Sequence, residues 1–123
     1  MRIKTHKDLD VYKISFEAAM EIFEISKNFP KEETYSLTDQ IRGSSRSVSS
    51  NIGEAFRKRR YPKSFIAKLS DSEAEAAETL TWLDFALKCK YIDQTEHKIL
   101  VTKYNFVIGK LVVMARQSDK WTV

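Results

Sequence analysis

A single cysteine, Cys89, rules out an internal disulfide framework and fits a reducing compartment. Two prolines and three glycines are too few for the many turns of an all-β fold, so turns must be rare and elements long. No apolar run approaches the roughly 18 residues of a membrane span. The opening MRIKTHKDLD has no apolar stretch of the kind a signal peptide needs. These absences predict a cytoplasmic protein with no membrane partner. Chemistry is equally sparse. There are two histidines, His6 and His97, and no Glu-x-x-His pair, which argues against the di-metal sites some four-helix bundles hold. Cys89 has no histidine with a clear claim to be its partner and reads as a packed or idle thiol. Gly43 and Gly53 lack the context of a phosphate loop. The expectation is no enzyme, no catalytic residue, no metal and no cofactor.

What is present is helical. A chain of 123 residues can bury a real core as one domain, and 42% hydrophobic with 31% charged residues is a globular composition. Apolar residues return every three or four positions along four stretches. These predict helices at about 8–28, 34–58, 62–88 and 94–117, joined by short turns. The most economical packing is an all-α, antiparallel up-down-up-down four-helix bundle. In the first helix Val11, Ile14, Ala18, Ile22 and Ile25 form the core stripe, with Asp8 or Asp10 as its cap. Pro30 ends it. Glu32 and Glu33 sit near the positive end of the second helix. Phe65, Leu69, Ser72, Ala76, Leu80, Leu83 and Leu87 form the stripe of the third, and Asp93 with Glu96 makes an Asp version of the capping box for the fourth. There the core positions are Leu100, Tyr104, Val107, Ile108, Leu111 and Ala115. Residues 1–7 and the tail SDKWTV read as loose ends.

The most informative stretch is Leu37 to Lys63. Its apolar positions Leu37, Ile41, Ser44, Val48, Ile52 and Ala55 fall within a sector roughly 80° wide. Small residues lie among them: Gly43, Ser44, Ser45, Ser47, Ser49, Ser50 and Gly53. They predict a close helix contact rather than a ligand lining. Asn51, at the edge of the stripe, reads as structural. Arg42, Arg46, Arg57 and Arg60 share a second sector roughly 60° wide. With Lys58, Arg59 and Lys63 they form a candidate nucleic-acid-binding set, because arginine's planar fork donates two hydrogen bonds to a phosphate. Arg59 would point at the core if the helix continued, so the helix frays before it. Residues 64–88 are acidic by contrast. A solvated helix face, or a basic face paired with Asp71, Glu75 and Glu78 of the same or another subunit, explains the charges equally well. That second account describes a protein-interaction scaffold. A carrier using the bundle interior would need a large apolar cavity.

Some apolar residues exceed what one core requires. Phe16, Phe23, Trp82, Phe85, Phe106 and Val113 cannot all reach the centre of one bundle, and they predict a self-association interface.

The run from Leu9 to Arg59 resembles the 23S ribosomal RNA intervening sequence proteins. The resemblance rests on Leu9–Val11–Tyr12, Phe29–Pro30–Lys31–Glu32–Glu33, Leu37-x-x-Gln40–Ile41–Arg42, Val48-x-Ser50–Asn51–Ile52-x-Glu54 and the basic run from Arg57 to Arg60. Ala74–Leu83 and the turn Lys90–Tyr91–Ile92 extend it. Ser49 stands where that family usually has proline, and Gly53–Glu54–Ala55 where it tends to have Ala-Glu-Gly. The resemblance implies a bacterial four-helix bundle assembled as a ring-like homopentamer, of no established biochemical function. The chain is also similar to the accessory proteins of diversity-generating retroelements, which implies nucleic acid, RNA or DNA, and a reverse transcriptase as partners.

Overall fold

The computed structural model describes residues 3–121. Among them there are four α-helices and no strand: α1 (Asp10–Ser26), α2 (Leu37–Arg57), α3 (Pro62–Lys88) and α4 (Gln94–Arg116). No helix of the described residues is long and apolar enough to cross a membrane.

Helical periodicity placed the core of α2 well and that of α1 in part, where Ser15 and Ser26 are buried and the expected Ile14 and Ile25 lie partly buried beside them. All six stripe residues of α2, from Leu37 to Ala55, are buried. In α3 the buried set is Phe65, Leu69, Ser72, Ala76, Thr79, Leu83 and Ala86, an alternation of four- and three-residue steps. Leu100, Tyr104, Val107, Leu111 and Met114 of α4 repeat it. This is the 3.5-residue period of knobs-into-holes packing. It differs from the expected stripes, projected at 3.6 residues per turn. Over several turns the half-residue drift moves Leu80, Leu87, Ile108 and Ala115 to the flanks, where they are partly buried, and brings Thr79, Ala86 and Met114 inward.

Hydroxyls join the helices inside. The Ser15 and Ser49 hydroxyls lie 2.9 Å apart between α1 and α2, and those of Ser44 and Thr79 2.8 Å apart between α2 and α3. Ser72 donates to the Val48 carbonyl at 2.8 Å. The expected close contact of α2 therefore comes from its serines. At Gly43 it fails: a side-chain carbon there would meet nothing within 4 Å. Gly53 does face a neighbour, the His6 ring, 3.4 Å from where its Cβ would stand. Asn51 is half-buried.

Four local expectations need correction. Neither Asp8 nor Asp10 caps α1, whose N-cap is Leu9. Asp8 is used earlier: with Thr5 it closes a capping box around the 3-10 turn His6–Asp8. The segment before α1 is thus hydrogen-bonded from Lys4 on, and the His6 ring stands edge-on to Tyr12 at 4.8 Å, while residues 1 and 2 lie outside the described residues. Helix α2 starts three residues later than Thr34, because residues 31–33 form a 3-10 turn and the Thr34 hydroxyl bonds back to the Lys31 carbonyl. Such local bonds compete with the helix. Glu33 still serves α2, accepting from the Leu37 amide at 3.3 Å. The tail also departs from the loose end expected: Ser118–Lys120 form a 3-10 turn and Trp121 packs against the core, while Thr122 and Val123 lie outside the described residues.

The Asp93–Glu96 capping box is present as expected. The α3–α4 turn adds a second device. The Tyr91 amide bonds to the Ala86 carbonyl and the Lys90 amide to that of Leu87, with Lys90 at φ 64°. This is a Schellman closure with a lysine where glycine is usual.

Candidate nucleic-acid interface

The seven basic residues do not form one patch. Arg57 closes α2, Lys58 caps it, and the chain reverses through residues 59–61 to Pro62, the first residue of α3. Arg57, Lys58, Arg60 and Lys63 are exposed here. Arg59 is not equivalent. Its Nε donates to the Phe56 carbonyl at 2.8 Å and its guanidinium sits 3.7 Å from the centre of the buried Phe56 ring. It satisfies a carbonyl that the end of α2 leaves open. That is the physical form of the fraying read from the sequence: Arg59 leaves the helix and folds back on it.

The second group lies near the start of α2, about 16 Å away along the axis between Arg46 and Arg57. Arg42 donates from Nε to the Ser26 hydroxyl of α1 at 2.8 Å. Arg42 and Arg46 stand 4.9 and 5.9 Å from the Phe23 ring centre, and Lys27 stands 4.8 Å from it. Three cations thus surround one ring. Lys27, absent from the expected set, belongs to this group. It lies on α1, where projection of α2 alone cannot reveal it.

The electrostatics of the two groups differ. The turn at 57–63 lies where the C-terminus of α2, which favours cations, meets the N-terminus of α3, which favours anions. Tyr61, the N-cap of α3, gives no side-chain hydrogen bond to that first turn. Glu54, the nearest acid within α2, is engaged by Lys68 at 2.8 Å, and that hydrogen bond and charge hold its carboxyl below the ordinary glutamate range. Asp71 lies 3.8 Å from the same lysine. Among the described residues no ion pair joins Arg42, Arg46, Arg57, Lys58, Arg59, Arg60 or Lys63 to Asp71, Glu75 or Glu78. Burial, with Glu78 second, pushes the Glu75 carboxyl up.

The expected self-association residues divide as well. Phe16, Phe85, Phe106 and Val113 are exposed. Phe23 and Trp82 are half-buried, the first under its cations and the second partly against the core. Met20 and Ile99 are also exposed and enlarge the set. Met20 completes a three- and four-residue spacing with Phe16 and Phe23, a signal that was readable. Cys89 is exposed at the end of α3. No group of three His, Cys, Asp or Glu side chains that could hold a metal occurs among the described residues.

Comparison with known proteins agrees with this architecture. A family model described as the 23S rRNA-intervening sequence protein matches residues 7–112. No curated protein matches the chain. A crystal structure of a protein of unknown function from the S23 ribosomal protein family of Bacteroides thetaiotaomicron VPI-5482 is similar, with a TM-score of 0.77 and 26% identity. The likeness covers 85% of this chain and 97% of that one.

Proposed function

The chain belongs to the 23S rRNA-intervening sequence protein family, and from that premise we propose that it is a non-enzymatic, self-associating, cytoplasmic nucleic-acid-binding protein, with structured RNA as its ligand. One observation carries the reading: Arg57, Lys58, Arg60 and Lys63 are exposed together at a helix junction, with no ion pair to an acid among the described residues. Such a cluster suits phosphate contacts that are largely independent of sequence. Arg42 and Arg46 extend the contact surface, and Arg59 holds its shape. Side-chain pairs support the antiparallel up-down-up-down order: Ser15–Ser49 with Ser26–Arg42, Glu54–Lys68 with Ser44–Thr79, and Asp10–Lys110 with Glu17–Lys103 each run in opposite numerical sense. Exposed Phe16, Phe106 and Val113 support self-association, and a homopentamer would multiply a weak site by avidity. The same surfaces support a second reading, a protein-interaction scaffold that recruits a reverse transcriptase or another protein.

Fluorescence anisotropy with a structured RNA across a salt series tests the first reading. Affinity should fall steeply with salt. Replacing Arg57, Lys58, Arg60 and Lys63 by Ala should make the log–log slope shallower by about one for each phosphate no longer neutralised. Undetectable RNA binding at low salt would sink the proposal and leave the scaffold. Light scattering measures the assembly independently.

A further inference from the structure

Three aromatic side chains and a fixed carboxylate line one concavity where α2 begins and α3 ends. Tyr35, just before α2, is 94% exposed, the most exposed large apolar side chain among the described residues. Trp82 and Phe85 are neighbours on α3, their ring centres 5.9 Å apart and their planes tilted by 38°. Phe85 is 54% exposed. With Glu33 and Gln40 these rings line a concavity of about 550 Å³.

Glu33 is held in place from three sides. Its Oε1 accepts from the Ser36 hydroxyl at 2.6 Å and from the Leu37 amide at 3.3 Å. Its Oε2 accepts from the Tyr91 hydroxyl at 2.9 Å. These donors, Ser36 foremost, hold the carboxyl below the ordinary glutamate range. It is therefore an ionised group in a preset position. A second carboxylate, Glu78, accepts from the Trp82 indole at 3.4 Å.

An anion beside aromatic faces selects against phosphate and for a cation. A purely apolar ligand would cover the Glu33 charge without a cation to match it. Aromatic faces attract cations through their quadrupole, and a guanidinium both stacks on rings and donates in a planar fork. We infer that this pocket binds an arginine side chain on a peptide segment of a partner protein, stacked on Tyr35, Trp82 and Phe85 and hydrogen-bonded to Glu33 and the Gln40 amide oxygen. The chain's own exposed basic turn begins at Arg57, about 30 Å from Leu37 along α2. It cannot fill the pocket within one molecule. The inference does not rest on nucleic-acid binding, whose main cluster, Arg57, Lys58, Arg60 and Lys63, lies at the other end of α2.

The test uses the full chain carrying Trp121→Phe, so that Trp82 is its sole tryptophan. A peptide of glycine-spaced arginines is titrated while Trp82 fluorescence is read. A saturable change is expected, about tenfold weaker with Tyr35→Ala, Phe85→Ala or Glu33→Gln. The peptide with citrulline in place of arginine should bind at least about tenfold more weakly. Phe85→Ala removes an exposed ring, so its melting temperature should stay unchanged even if Glu33→Gln disturbs the start of α2. Replacing Arg57 and Arg60 by Ala should leave the titration untouched, which separates this site from the RNA surface. No saturable change, equal binding of the citrulline peptide, or displacement by oligouridine would overturn the inference. So would a change of assembly mass in Phe85→Ala, since that would give the pocket to a second copy of this chain.

Discussion

Two seams of the bundle are filled differently. Between α2 and α3 the contact is made by hydroxyls: Ser44 meets Thr79, Thr79 donates to the Glu75 carbonyl at 2.9 Å, and Ser72 donates to the Val48 carbonyl. Between α1 and α4 the contact is held from outside. Lys103 bridges Glu17 and Glu21, and Lys110 pairs with Asp10 at 3.2 Å. Beside these pairs runs an apolar groove of about 480 Å³ with Met20 and Ile99 exposed on it. Small hydroxyl side chains let two backbones approach and still satisfy every polar group they bury. Long charged side chains span a wider gap and leave it open. The first seam should be sensitive to volume and indifferent to salt, and the second the reverse.

The strongest way to break this contrast is to enlarge the closed seam. Ser44→Leu adds bulk where there is no room and removes the Thr79 partner. We expect a loss of about 3 kcal/mol in urea unfolding. Met20→Ala in the open seam should cost less than about 1 kcal/mol. If the two costs were equal, the seams would not differ in packing. Next in size is Ser72→Ala, which deletes one buried hydrogen bond and creates almost no cavity. It should cost about 1 kcal/mol, with no change between low and high salt.

The parts of this contrast that were legible in the sequence are those that depend on one helix alone. The α2 stripe, the Asp93–Glu96 box and the surplus apolar positions follow from spacing within a single element. The Ser49 and Ser44 contacts were expected only as closeness, since their partners Ser15 and Thr79 come from other helices. The basic set shows the same limit. Projection separated Arg59 from Arg42 and Arg46, yet the anchoring of Arg42 needs Ser26 and Phe23 of α1. Trp121 escaped because a polar tail hides a single aromatic that has no period. Tyr35 escaped because the expected second helix began at residue 34 and took it in, whereas α2 begins at Leu37.

The open seam is tested by Lys103→Met. Burial lowers the Lys103 pKa, but hydrogen bonds and charge from Glu17 and Glu21 outweigh it, and the net shift is upward. A lysine with a raised folded pKa contributes stability that is fully present below its unfolded value of 10.5. That contribution is lost as pH rises through the folded pKa. Glu17 is well exposed, so solvent screens the pair. The variant should lose about 0.5 kcal/mol at neutral pH and low salt. The loss should fade in high salt and in strong alkali. A loss unaffected by salt would place this seam in the same class as the first.

The smallest effect belongs to a residue between the two seams. Tyr104 of α4 is fully buried, and its hydroxyl has no hydrogen-bond partner. Burial pushes its pKa well up; Glu21 adds to the shift and Ser45 opposes it. The Ser45 hydroxyl is itself committed to the Arg42 carbonyl at 3.1 Å. The hydroxyls of Ser15, Ser26, Ser44, Ser45, Ser49, Ser72 and Thr79 are all hydrogen-bonded, so Tyr104 stands apart from them. Removing it takes away a desolvated group and no bond. Tyr104→Phe should therefore leave stability within about 0.5 kcal/mol of the parent, or raise it. A loss above about 1 kcal/mol would mean that the Tyr104 hydroxyl is bonded in solution, to Ser45 or through a buried water. The interior would then be hydrogen-bonded on the α4 side as fully as it is between α2 and α3.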